Sequence, residues 1–165
     1  MRSRKPPAPL DQDGLYQKAV AALARRSRSE LEVRRLLQRS ALPGEDGAAM
    51  ITAVLGRLRD HGYLDDRRFA GHYALWQKEG EAHGKARVRR ELKARGVDPD
   101  IAEAAIDEQF GDSDEESLIR NFLHRKRLKL PENPRQTANL FRKLLMAGFS
   151  PGPVLHCLRT WKVNP

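Results

Sequence analysis

A basic, leucine-bearing helix closed by a glycine recurs along this chain, and that recurrence constrains the fold more than any other feature. Gly96 and Gly148 stand 52 residues apart, and at that offset Val88 falls on Leu140, Arg90 on Arg142, Leu92 on Leu144 and Val97 on Phe149. At an offset of 55, Val33, Arg35, Leu37 and Leu42 fall on Val88, Arg90, Leu92 and Val97. Each unit thus holds an apolar residue, a basic one two places on, a leucine two further, then a turn and a large apolar residue. Repetition at this period marks a tandem array of small modules stacked end to end. A module of about fifty residues has a thin core of its own, so neighbours are expected to stabilise one another.

Helical periodicity fills the units. Leu15, Ala19 and Leu23, with Tyr16 and Val20 beside them, form one face of a first helix. Ser29 and Glu32 have capping-box spacing and open a second, with Leu31, Val33, Leu36 and Leu37. The stretch Pro43–Gly47 reads as a loop before a third helix carrying Met50, Ile51, Val54, Leu55 and Leu58, stopped at Gly62. The same grammar then returns. Asp65 caps a helix with Leu64 and Phe69 as its hydrophobic staple, and Phe69, Tyr73 and Trp76 are expected to line its inner face. A basic helix ends at Gly96, and Asp98-Pro99 opens another with Ile101, Ala102, Ala105 and Ile106. The third round begins at Ser113, three residues before Glu116, with Leu118, Ile119, Phe122 and Leu123 inside. Asn133-Pro134 starts a helix that Gly148 ends, and Ser150-Pro151 starts the last, with Val154, Leu158 and Trp161 on one face. No segment reads as a strand. The predicted fold is all-α: nine helices in three tandem three-helix repeats stacked end to end, an array to which the family resemblance given below adds an elongated, curved body. Boundaries fall at 1–11 for a mobile basic arm, then 12–64, 65–111 and 112–165 for the repeats.

Catalysis needs convergent groups, and the candidates are poor. Asp65 and Asp66 are adjacent, so they do not face each other on a helix, and Asp65 is better used as a cap. His61, His72 and His83 are spaced by eleven, but Gly62 and Gly80 interrupt the helix around His72, which argues against a metal site. The stretch "GEAHGKA" is one residue short of a phosphate loop, lacks Ser or Thr after Lys85, and follows a helix rather than a strand. The expectation is a protein that is not an enzyme and uses no metal or cofactor. The single cysteine, Cys157, lies in a helical apolar stretch, suiting a buried thiol in a reducing cytoplasm. No apolar run is long enough to span a bilayer. The start has no apolar core before its prolines, so it is not read as a secretory signal.

Charge points to the partner class. The chain holds 31 Lys and Arg against 22 Asp and Glu, a net charge of +9, so polyanions or acidic protein surfaces are expected. Three clusters concentrate it: Arg25, Arg26 and Arg28; then Lys85, Arg87, Arg89, Lys93 and Arg95; then Arg125, Lys126, Arg127 and Lys129. Each alone also reads as a solvated face, whereas three in one architecture favour a polyanion. Lys85, Arg89 and Lys93 form a row four residues apart, on a different side from Val88 and Leu92. The recurring Arg35, Arg90 and Arg142 read equally as binding residues or as long stems covering the core edge. Few exposed aromatics interleave with these clusters, so stacking on single-strand bases is not expected. Phosphate contacts without sequence reading are, and they weaken steeply with salt.

The segments "RSRSELEVRRLL", "LRDHGYLDDRRFAGHYALWQ" and "GKARVRRELKARGVDPDIAEAAI" together resemble the RecX family of bacterial regulators of the recombinase RecA. The likeness runs from about Leu15 to the C-terminus and is densest from Gly62 to Ile106. The last unit departs from the pattern, with Met146-Ala147 where a basic pair is expected before Gly148, and the Pro43 loop is longer than usual. The resemblance implies a curved array of three-helix repeats lying in the groove of the RecA filament on single- or double-stranded DNA. It also implies lowered ATP hydrolysis, strand exchange and filament growth. The chain is expected to act as a cytoplasmic monomer away from membranes. A DNA-binding helical module that acts without RecA is the alternative, one unit serving like a helix-turn-helix.

Overall fold

The computed structural model describes residues 8–160, and among these lie nine helices and no strand. They are α1 (Gln12–Arg25), α2 (Glu30–Gln38), α3 (Glu45–Asp60), α4 (Asp66–Glu79), α5 (Lys85–Ala94), α6 (Pro99–Phe110), α7 (Glu115–Arg125), α8 (Pro134–Met146) and α9 (Pro151–Thr160). The helices follow one another as three sets of three. The caps explain where they start. Asp11 accepts from the Gly14 amide at 2.8 Å, and Ser29 and Glu32 form the reciprocal capping box. Asp65 accepts from the Arg68 amide at 3.0 Å, Asp98 precedes Pro99 in the first turn of α6, and Asn133 accepts from the Gln136 amide at 2.9 Å. Each such bond satisfies a donor that the helix itself cannot, worth about 1 kcal/mol.

Two compact units divide the fold: one reaches to Phe69 and includes Arg95–Val97, the other holds Ala70–Ala94 and everything from Asp98. The first is built around Leu15, Tyr16, Ala19, Val33, Leu37, Ile51, Val54, Leu55, Leu58 and Leu64. Fully burying a leucine such as Leu37 or Leu58 contributes roughly 1.5–3 kcal/mol. The second unit has a cluster of Ala82, Ile119, Phe122, Leu123, Leu140, Leu144, Ala147, Phe149, Val154, Cys157 and Leu158. Val88, Leu92, Ala102, Ala105, Ile106 and Phe110 are buried on α5 and α6. Cys157 is thus a core thiol, and burial pushes its pKa up.

The second unit contains an unusual joint. The amides of Gly84 and Ala86, at the start of α5, donate to the carbonyls of Ala147 (2.9 Å) and Gly148 (3.2 Å), at the end of α8. Gly148 is left-handed, with φ +97°, and a Cβ there would lie 2.4 Å from the Arg87 nitrogen and 2.6 Å from the Gly84 oxygen. A Cβ on Gly84 would lie 2.3 Å from the Gly148 oxygen. Both glycines are needed because two backbones meet where a side chain would stand.

Several sequence expectations change. The Pro43–Gly47 loop is shorter, since α3 already begins at Glu45, after Gly44. Glu45 and Asp46 suit the positive end of the helix dipole. At α7 the cap is Asp114 rather than Ser113, because the Asp114 carboxylate reaches both the Glu116 and Ser117 amides. Leu42 is 44% exposed whereas Val97 and Phe149, its repeat equivalents, are 4% and 3% exposed. The turn after α2 has no left-handed glycine, and Ala41 packs on the core there instead. On α4 the buried face is Phe69, Ala70, Ala74 and Gln77, leaving Trp76 52% exposed. Trp161 and residues 1–7 of the basic arm lie outside the described residues. Of the rest of that arm, the Leu10 amide donates to the Ser40 carbonyl at 2.8 Å.

Candidate functional site

The fifteen candidate cations fall into groups according to what they touch. In the first unit, Arg95 Nη1 pairs with Glu32 at 2.8 Å and Arg26 Nη2 lies 3.6 Å from the same carboxylate. Ser29 Oγ donates to the Arg95 carbonyl at 2.6 Å. Arg95 therefore ties the turn after α5 to the start of α2, in a half-buried setting. Arg28 is half-buried and its Nε is enclosed without a hydrogen-bond partner. Arg25, at the end of α1, and Arg35, on α2, are exposed with no ion pair.

In the second unit the row on α5 is split. Arg89 grips Glu103 of α6 through two nitrogens, Nη2 to Oε2 at 2.8 Å and Nε to Oε1. That bond holds the guanidinium pKa above its ordinary value and the Glu103 pKa below. Arg87 pairs with Glu91 one turn on, at 2.9 Å. Lys85 and Lys93 have no ion pair or hydrogen bond. The three repeat-equivalent arginines do different things. Arg90 donates to the Met146 carbonyl at 3.1 Å, Arg142 donates to Asn139 at 2.5 Å, and Arg35 is unpaired. Their recurrence is thus no shared contact. Arg142 also borders a groove of about 960 Å³ between α8 and α9, lined by Phe141, Leu155 and Leu158.

The last cluster surrounds the end of α7. Arg125 Nη1 donates to the Gly80 carbonyl at 2.6 Å, and Lys126 pairs with the half-buried Glu81 at 2.9 Å, depressing that carboxyl's pKa. Arg127 and Lys129 are exposed and unpaired. Arg127 sits in the left-handed region, φ +49°, where its amide bonds the His124 carbonyl and the next amide bonds Leu123. This is the helix-closing turn that glycine usually makes.

A polar network behind the α5 row was not anticipated. Gln77 is buried and gives its amide hydrogens to Tyr73 (2.7 Å) and Glu91 (2.9 Å), while its oxygen lies 2.5 Å from His83 Nδ1. Tyr73 also donates to Glu91. Burial pushes Glu91 up, but the bonds from Tyr73 and Arg87 outweigh it and hold the carboxyl below its ordinary value. Burial, aided by Arg87, pushes His83 down. The arrangement fixes α4 against α5 and offers no nucleophile. No group of three or more His, Cys, Asp or Glu side chains able to hold a metal exists among the described residues. Among them, too, no helix is long and apolar enough to cross a membrane. What the surface offers is dispersed positive charge on rigid helices.

Residues 65–106 match the family model described as RecX, second three-helix domain. The chain is 34% identical over 119 residues to the regulatory protein RecX of Shigella sonnei, covering 68% of this chain and 69% of that protein. Against the regulatory protein RecX of Geobacillus kaustophilus it is 35% identical over 137 residues, 81% of this chain and 49% of the relative. Against that of Bacillus velezensis the figures are 36% over 91 residues, 55% and 33%. The chain therefore spans half the length or less of these last two relatives. Two solved structures share its fold. A crystal structure of regulatory protein RecX has TM-score 0.68 at 19% identity, covering 90% of this chain and 71% of that one. RecX from Lactobacillus salivarius has TM-score 0.67 at 20% identity, covering 93% and 97%.

Proposed function

This chain belongs to the RecX family of regulatory proteins, and we propose that it binds the RecA–DNA filament and restrains its ATP hydrolysis, strand exchange and growth, without being an enzyme. The working protein is a cytoplasmic monomer whose modules are 12–64, 65–111 and 112–165. The observation that supports this best is the set Arg25, Arg35, Lys93, Arg127 and Lys129, exposed on helices or their ends without an intramolecular carboxylate. Such cations lose little on meeting phosphates or acidic protein, since no internal pair has to break. Arg89, Arg87 and Arg95 are already neutralised by Glu103, Glu91 and Glu32, so they contribute mainly to shape.

ATP hydrolysis by the cognate RecA on single-stranded DNA, with this protein titrated in, tests the reading. Inhibition well below one molecule per RecA is expected, because a filament regulator acts on growth or stability rather than on each active site. Reversal of Lys85 and Lys93 to Glu should raise the protein needed for half-inhibition several-fold. No inhibition even in excess, with salt-sensitive binding to naked DNA, would leave a sequence-nonspecific DNA-binding module instead.

A further inference from the structure

Trp76 is exposed but not loose. The pyrrole edge of its indole lies against Gly80, where a Cβ would come within 3.0 Å of both Cδ1 and Nε1. The Tyr73 ring stands 5.9 Å away, centroid to centroid, tilted by 54°, and the Tyr73 hydroxyl is held by Gln77 and Glu91. The indole is therefore braced on one side while half of its surface stays in water.

The carbonyl of the same Gly80 accepts from Arg125, so one residue touches the indole and a guanidinium together. Arg125 begins the run Arg125-Lys126-Arg127-Leu128-Lys129, whose four cations are all exposed. Only Lys126 has a carboxylate partner, Glu81. Glu79, one turn from Trp76 and exposed, does not cancel the other three cations. An apolar protein pocket would be matched by a tryptophan ringed with neutral side chains, whereas this one shares Gly80 with the Arg125 guanidinium, which opens a cationic run.

We infer that Trp76, with Arg125, Arg127 and Lys129, forms a stacking site for a base of single-stranded nucleic acid. Any base can stack on the indole while the cations hold the adjoining phosphates, a combination that tolerates sequence. A duplex keeps its base faces within its own stack, so it gains only the phosphate contacts. The site deepens the filament reading and rests on it for the source of the strand.

The chain has two tryptophans, so Trp161→Phe leaves Trp76 as the only reporter. Its emission is titrated with oligo(dT) and with a duplex of equal length. The expected result is saturable quenching by oligo(dT), weak quenching by the duplex, and binding of oligo(dT) about tenfold weaker for Trp76→Leu but nearly retained for Trp76→Phe. Binding without quenching, or unchanged affinity in Trp76→Leu, would assign the affinity to phosphates alone and remove the site. If Trp76→Leu keeps oligo(dT) binding yet no longer inhibits RecA, Trp76 is a protein contact; the site falls and the filament reading stands. Quenching by oligo(dT) with no effect of the unsubstituted protein on RecA gives the reverse outcome.

Discussion

Helices α5 and α8 hold equivalent places in successive repeats, yet they begin in opposite ways. α8 is 13 residues long against 10 for α5, and its additional turn holds everything a helix start requires. Asn133 caps, Pro134 supplies a first position with no hydrogen to satisfy, and Gln136 accepts from the Glu132 amide. α5 is preceded by Gly84, which has no side chain to cap with, and the Gly84 and Ala86 amides are satisfied by the carbonyls at the end of α8. The positive end of one helix dipole thus meets the negative end of another. One start is self-sufficient and the other is completed by a distant segment, so the two repeats of this unit are coupled through backbone.

Gly148→Ala should break that coupling most severely. It combines a side chain at φ +97° with a Cβ 2.4 Å from a backbone nitrogen, and a loss of about 3 kcal/mol or more is expected from the urea midpoint. Gly62→Ala is its control, because Gly62 has φ +73° but nothing within 4 Å; strain alone should cost about 1 kcal/mol. Equal losses would show that the joint contributes nothing. Asn133→Ala comes next, at about 1 kcal/mol, and hydrogen exchange should quicken at the start of α8 while α5 keeps its protection. Faster exchange at Gly84 and Ala86 would mean that α8 is not self-sufficient.

The smallest effect is the pH dependence from His83, beside Gly84 and 6% exposed. Its pKa is lowered on folding by burial and Arg87, against opposing Glu81 and Glu91 and with Lys126 adding to the lowering. The unfolded chain therefore binds the proton more readily. The stability is present above the unfolded value of about 6.5 and is lost as pH falls towards the depressed folded value. A Tm that declines as pH drops below about 6.5, with less decline in His83→Gln, is the expected outcome. Identical slopes would exclude His83 as the cause.

Much of the fold was legible because its signals are local. Ser29, Asp65, Asp98 and Asn133 announce helix starts, and Gly62, Gly96 and Gly148 announce ends, each within one turn of its effect; Asp11, read as part of the arm, caps α1 as well. Asp114 displaced Ser113 because two adjacent residues can both cap, and only geometry decides between them. Trp76 was misplaced because the face 69-73-76 differs from 70-74-77 by one residue, about 100° of rotation, and aromatic rings outweigh alanines in any count of apolar character. Gln77 takes the buried position because Glu91 and His83 satisfy it, partners outside its own helix. The candidate surface was legible as charge and not as availability. Arg89 finds Glu103 and Arg95 finds Glu32, 14 and 63 residues away, and no helical spacing rule reaches that far.

The joint at Gly84 also has a consequence for a chain being made. Ala147, whose carbonyl completes the start of α5, is added 63 residues after Gly84. At 5–20 residues per second that interval is roughly 3–13 s. Throughout it the first amides of α5 are left to water, while α8, once synthesised, can start on its own cap. Vectorial synthesis therefore leaves the start of α5 without its two carbonyl partners until the end of α8 is made, whereas α8 brings its own cap in Asn133.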